Sequence, residues 1–257
     1  MYTWWQRLRS LRHHVDYALS ERLRYSRGAY HEAPAIELTA VDSVQAERIA
    51  RLQSRYQVAF EKHLSAATSL NNYEYLDILD GAWSAWDLVP TMGGELCDVG
   101  SANFWYAPAL QAFFRPERLF GVEIEGYRRY RDGHTRRDYA AGYLAPWPNA
   151  KLVIADYTGL EQPADCITAW FPFITAPAIL AWRLPLSMLA PESLLRRVRS
   201  NLRPAGVFWM VNHGAEEAVV AARYCNAAGL TLLRDRSHRG PFSAHRLEPP
   251  IVSLWSA

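Results

Sequence analysis

The chain has 257 residues, half of them apolar, with a formal net charge of +2. That length sustains one sizeable core plus an appendage, and the near-balanced charge gives no global case for nucleic-acid binding. Cys97, Cys166 and Cys225 sit in apolar surroundings with no CxxC or Cys/His spacing, so buried free thiols in a reducing compartment are expected and no metal is implied.

Residues 1–30 carry Arg7, Arg9, Arg12, Arg22, Arg24 and Arg27 against Asp16 and Glu21. Trp4, Leu8, Leu11, Val15 and Leu19 recur at helical spacing. This predicts an amphipathic basic helix whose apolar stripe docks on the main domain while its Arg face is solvated; a surface for RNA or anionic lipid is the alternative. The segment lacks the apolar run of a signal peptide, and no window approaches a membrane span, so a soluble cytoplasmic protein is expected.

Residues 31–41 read as a linker. Asp42 suits an N-cap, with Gln45 as its capping-box partner, and Ile49, Leu52, Tyr56, Phe60 and Leu64 carry one helical face onward. Asn72 reads as the cap of a further helix through Tyr75, Leu76, Ile78 and Leu79. Pro90, Gly93 and Gly94 then mark a boundary, dividing a helical extension, 1–90, from a second domain, 91–257.

From Glu95 the pattern changes to short apolar runs: Leu96–Val99, Leu119–Ile124, Leu152–Ala155, Cys166–Trp170, Val207–Val211, Leu230–Leu233 and Ile251–Trp255. The first five are separated by segments long enough for crossovers, which predicts a parallel sheet covered on both faces. A helix over Glu216–Ala228 stops at Gly229. The loop Arg239–Ser243 leads to the final run, so a closing antiparallel hairpin is expected.

The strand ends carry the chemistry. The first runs into Asp98-Val99-Gly100-Ser101-Ala102-Asn103-Phe104, a strand, tight turn and helix that bring backbone amides to a ligand. The second ends in Gly121-Val122-Glu123-Ile124-Glu125, and Glu123, 23 positions after Gly100, is placed to accept two hydrogen bonds from ribose hydroxyls. The third ends at Asp156-Tyr157, a carboxylate for an exocyclic amine and an aromatic for the face of adenine. The fourth ends in Trp170-Phe171-Pro172-Phe173 over the same crevice.

With these motifs in this order, residues 94–257 resemble the class I S-adenosylmethionine-dependent methyltransferases. Asp98 to Phe104 stands where that superfamily has D-x-G-x-G-x-G, Gly121-Val122-Glu123 matches its second-strand acid, and Ala155-Asp156-Tyr157 its adenine contact. Leu194 to Phe208 looks like its recurrent helix, L-x-P-G-G turn and fifth strand. The resemblance implies an α/β, Rossmann-like, seven-stranded, mostly parallel sheet in the order 3-2-1-4-5-7-6, with the last strand antiparallel and helices on both faces. It implies S-adenosyl-L-methionine as cofactor, bound by Asp98, Gly100, Ser101, Ala102, Glu123, Ile124, Asp156, Tyr157 and Trp170.

Ala102 and Phe104 replace the second and third glycines. A Cβ at Ala102 is tolerated if its φ is negative, and Phe104 either packs away from the cofactor or narrows its pocket. Trp105, at the third glycine position of G-x-G-x-x-G, disfavours a nicotinamide dinucleotide. Trp170-Phe171-Pro172-Phe173 lacks the amide or acid of amine-methylating relatives. His213, in Asn212-His213-Gly214, is a candidate general base or a strand-end residue bonded to backbone. Arg128, Arg129, Arg131, Arg136 and Arg137 read as an exposed helix face, with His134 as a solvated helix residue, or as a site for an anion or RNA. Three readings follow: a methyltransferase acting on a small molecule, a non-catalytic binding module on the same scaffold, and an RNA methyltransferase using the Arg-rich N-terminal helix.

Overall fold

A computed structural model describes residues 2–35, 37–38, 41–88, 93–243 and 247–257. The boundary residue Pro90 lies outside them. Helix α1 (Trp4–Leu23) is closed by a capping box between Thr3 and Gln6. Helix α2 (Ser43–Tyr56) has the expected box between Asp42 and Gln45. It stops at Gln57, which is left-handed at φ +57°, so Phe60 and Leu64 continue the apolar stripe from a single 3₁₀ turn and a loop rather than from the helix.

Helix α3 (Ala66–Trp86) is capped by the Ser65 hydroxyl. Asn72, expected as a cap, lies inside it. Its Nδ2 donates to the carbonyls of Thr68 and Trp105 (both 2.9 Å), and its Oδ1 accepts from Ala109 N–H (3.0 Å). A buried amide with its donors and acceptor used this way is a joint: it ties α3 to the start of α4 (Ala107–Phe114).

Seven strands form one sheet: β1 (Glu95–Val99), β2 (Arg118–Glu123), β3 (Ala150–Ile154), β4 (Ala164–Trp170), β5 (Leu202–Asn212), β6 (Thr231–Ser237) and β7 (Ile251–Ser256). Their order is β3-β2-β1-β4-β5-β7-β6. The first five are parallel, and β7 runs antiparallel to both β5 and β6. The polarity is that expected from the apolar runs and the closing hairpin, and the order is the one the resemblance implied. The left-handed Gly229, φ +82°, ends helix α8 (Ala215–Ala227) as expected.

Alternate strand residues feed two cores, as a parallel sheet buried on both faces requires. Leu96, Cys166 and Trp209 face α2, α3, α4 and α5 (Arg136–Leu144). Cys97, Ile167, Phe208 and Met210 face α7 (Pro191–Asn201) and α8. The first core mixes Ile49, Leu52, Leu76 and Leu79 from the N-terminal segment with Phe104, Leu110 and Phe113. A third, small cluster (Ile179, Leu180, Leu184, Leu186) surrounds α6 (Ala176–Ala181) and the turn that follows.

Helix α1 lies on that third cluster, but with the reverse of the expected face. Tyr17 packs against the cluster and His13 is buried. Arg9 Nη2 donates to Leu180 O (3.2 Å), and Ser10 Oγ accepts from Leu186 N–H (2.9 Å). Trp4, Leu8, Leu11, Val15 and Leu19, the stripe expected to dock, are all exposed. Helical periodicity sorts residues onto two faces without saying which one meets the protein.

Candidate functional site

The turn after β1 is held against the end of β2. The N–H groups of Gly100 and Ser101 both donate to Val122 O (2.9 and 3.1 Å). Ser101 Oγ donates to Asp98 O (2.9 Å), and Ala102 N–H donates to Glu123 Oε2 (2.7 Å). Along this turn φ is +78° at Gly100, +52° at Ala102 and +57° at Phe104. The expectation of a negative φ at Ala102 is therefore corrected: the chain keeps a left-handed backbone where two glycines are missing. Ala205, at the first glycine of the L-x-P-G-G turn, does the same at φ +63°.

Phe104 turns away from the crevice. Its ring is fully buried and lies over Gly121 of β2, in the space a Cβ there would need. Thus the absent side chain at 121 accommodates the ring at 104. In front of the turn the backbone is open. Gly100 lines a cavity of about 250 Å³, and a Cβ at Gly100 would meet no atom within 4 Å.

This cavity occupies the carboxyl ends of β1 to β4, the switch point of an open α/β sheet. Of the residues proposed to hold a cofactor, Gly100, Ala102, Glu123, Ile124, Asp156, Tyr157 and Trp170 line it, as does His213. Asp98 and Ser101 stand behind its wall. Asp98, fully buried, accepts from Thr168 Oγ1 and from the Tyr106 hydroxyl (2.6 Å each). Burial pushes its carboxyl up to about 6 against those hydrogen bonds. Its geometric role is to fix Tyr106, whose own ionisation burial and the Asp98 charge push upward.

Glu123 is less available than its position suggested. Its Oε1 accepts from Arg136 Nη1 (2.7 Å) and Glu125 N–H (2.8 Å), while Oε2 takes Ala102 N–H. Arg136 also bridges to Glu125 (3.3 Å), which Arg128 holds at 2.7 Å. Burial raises the Glu125 pKa, with Arg136 and Arg128 opposing. Arg136, expected on an exposed face, is buried at the start of α5 with its guanidinium 5.5 Å from the Trp182 ring centre. Its burial opposes its charge, but Glu123 and Glu125 outweigh that and raise its pKa. His134, expected in the helix, precedes the Thr135 cap and pairs with Asp132 at 3.1 Å.

Sequence reasoning missed Arg136, Tyr75 and Tyr106 at this site. Tyr75 comes from α3 and stacks on Trp170 with centroids 4.1 Å apart; Tyr106 and Trp105 each lie 4.8 Å from Tyr75. Phe171, left-handed at φ +52°, stacks on His213 at 4.3 Å. The fourth strand therefore opens into an aromatic box, partly built by a segment with no motif in it. Ile179, Trp182 and Leu184, from α6 and the loop after it, close the opposite side.

The donor set fits an adenosine-type group. A bare left-handed glycine allows close approach, acids end the second and third strands, and Tyr157 and Trp170 supply apolar surface. Asp156 is exposed and holds Thr158 N–H and Oγ1 through one oxygen (2.9 and 2.8 Å).

No protein-family model matches the chain, and no curated protein matches it. Solved structures do. A SAM-dependent methyltransferase from Aquifex aeolicus superposes with a TM-score of 0.51 at 13% identity, over 72% of this chain and 93% of its own. A S-adenosylmethionine-dependent methyltransferase from Clostridium acetobutylicum superposes with a TM-score of 0.50 at 10% identity, over 82% and 98%. With its seven strands in the order and polarity that the resemblance implied, the chain has the Rossmann-like fold of the class I methyltransferases.

Proposed function

We propose that the protein is an S-adenosylmethionine-dependent methyltransferase acting on a small molecule. The observation that carries this reading is the left-handed turn Gly100–Phe104, kept without its second and third glycines and with the Phe104 ring withdrawn over Gly121. Such a turn costs on the order of 1 kcal/mol at each non-glycine residue, and here it leaves the Gly100 backbone open to the cavity.

The open space in front of the Gly100 backbone would admit the amino-acid end of the cofactor, Glu123 would hold the ribose, and Asp156 with Tyr157 the base. Bound there, the cofactor supplies an electrophilic methyl group. The protein's share is alignment and exclusion of water. Tyr75, Tyr106, Trp170 and Phe171 form an apolar box for the acceptor, with Tyr106 fixed by Asp98. His213, which stacks on Phe171 and lines the cavity, would take up a proton released by the acceptor.

Titration calorimetry with S-adenosylhomocysteine tests the proposal: binding is expected, and Asp156→Ala weakens it about tenfold or more, the loss of one hydrogen bond to a carboxylate. Absence of heat at about 1 mM ligand, beyond the range of useful cofactor affinity, removes the reading. The engagement of both Glu123 oxygens by protein donors favours a second reading, a binding module without turnover. Methyl transfer to any component of a cell extract excludes it.

A further inference from the structure

The outward face of α1 is built unlike the surface of a soluble helix. A surface helix normally turns its apolar stripe to the core. Here Arg9, Ser10, His13 and Tyr17 face the protein, and Glu21 keeps an oxygen buried. Trp4, Trp5, Leu8, Leu11, Val15 and Leu19 face out, with Trp4 66%, Trp5 69% and Leu11 62% exposed. These positions wind along one side of 20 residues, about 30 Å of helix.

Basic side chains flank the stripe. Arg7, Arg12 and Arg22 on the helix are exposed, as are Arg24 and Arg27 beyond it. The charge continues onto the loop before α5. The Arg24 guanidinium lies 5.6 Å from the Tyr127 ring centre and that of Arg129 5.8 Å from the Tyr25 ring centre. Arg27 donates to the Asp132 carbonyl, and Arg131 and Arg183 are exposed nearby. On the helix itself the exposed acid is Asp16.

We propose that α1 is a membrane-contact helix that lies flat on an anionic lipid bilayer, its Trp/Leu/Val stripe in the interface and its arginines on the headgroups. An apolar face bordered by arginine is the form that interfacial helices take, and aromatic residues favour the headgroup boundary. Anionic lipid supplies the charge that the arginines complement. A second copy of this chain would set the same arginines against each other. RNA would satisfy the arginines and leave six large apolar side chains in water. The inner face of α1 rests on α6, whose Ile179 lines the candidate site, so docking would leave two helix layers, roughly 20 Å, between that cavity and the lipid.

The test is co-sedimentation of the full chain with vesicles of phosphatidylcholine alone and of phosphatidylcholine containing about one-third phosphatidylglycerol. Partition is expected to be at least about tenfold stronger onto the anionic vesicles, with a blue shift of Trp fluorescence, and to weaken in about 0.5 M salt. The triple variant Leu8→Asp/Leu11→Asp/Val15→Asp should lose about tenfold or more of that partition. It changes only exposed side chains, so its melting temperature should stay that of the parent. The proposal is overturned by no binding to anionic vesicles, by binding that the triple variant retains, or by self-association in light scattering that the triple variant abolishes while vesicles are ignored. RNA binding insensitive to the triple variant, again without vesicle binding, assigns the arginines elsewhere and overturns it equally.

Discussion

Arg136→Met tests the charge cluster beneath the candidate site. The guanidinium is buried and reaches Glu123 at 2.7 Å and Glu125 at 3.3 Å. Methionine keeps much of the volume and removes the charge. Glu125 then retains Arg128, whereas among the described residues Glu123 is left with the N–H groups of Ala102 and Glu125. Breaking a buried pair by removing one partner costs about 3–5 kcal/mol, and the surviving donors place this case near 3. For a chain of this size that lowers Tm by roughly 6–12 °C.

The loss should depend on pH with a definite sign. Burial already raises the Glu125 pKa above its ordinary 4.5, and Arg136 is the larger of the two cations opposing that. Without Arg136 the carboxyl climbs further. A carboxyl whose folded pKa exceeds its unfolded one favours the folded state below the unfolded value, and that contribution fades as pH rises through the folded pKa. The gap between parent and variant should therefore widen from about pH 5 to pH 8, and Glu125→Gln in the variant background should flatten it. Differential scanning calorimetry across that range is the assay. A Tm drop under about 2 °C, or a gap that narrows towards pH 8, refutes the account.

Ala102→Gly and Ala205→Gly each release a left-handed alanine; the relief of about 1–2 kcal/mol exceeds the added entropy of the unfolded glycine, so each should gain roughly 0.5–1 kcal/mol, or about 1–4 °C in Tm by thermal melts. Gly121→Ala places a methyl in the Phe104 ring and should cost about 1–3 kcal/mol as overpacking. In Phe104→Leu the cost shrinks, and a double-mutant cycle by urea unfolding should show coupling above about 0.5 kcal/mol; additivity would mean that the ring and the glycine do not depend on each other.

Much of the architecture was legible because local signals agreed. The Asp42/Gln45 box, the apolar runs and Gly229 marked their elements and the spacing of the runs implied crossovers, while the strand order came from the resemblance. What was illegible depends on partners distant in sequence. Arg136 looked like one of five solvated arginines, and its ion pairs with Glu123 and Glu125 at the end of β2 make it a buried one. Asn72 has the chemistry of a cap, yet its partners are Trp105 and Ala109. Tyr75 lies in a helix whose apolar positions gave no sign that one ring of the core also lines the cavity. The glycine motif misled differently. Residue type is a proxy for φ, and Ala102, Phe104 and Ala205 adopt the conformation against their own preference.

The same arithmetic bears on whether the fold still serves a cofactor. An ionised carboxylate offers about four lone-pair sites, and three protein donors already occupy Glu123. A ribose can then gain one hydrogen bond without displacing a donor, not the two that the strand-end position suggested. Arg136 is the donor that a side-chain rotation can move, and it lies over Trp182, which lines the cavity from the loop after α6. Ribose binding and the position of Arg136 are therefore linked through one oxygen. If Glu123 serves the ribose, Arg136→Met, measured well below its Tm, frees one acceptor site on Oε1, which Glu125 N–H still shares, and strengthens binding of S-adenosylhomocysteine. If Glu123 serves only to bury Arg136, the affinity does not follow the charge, and the acid at the end of β2 is part of the scaffold.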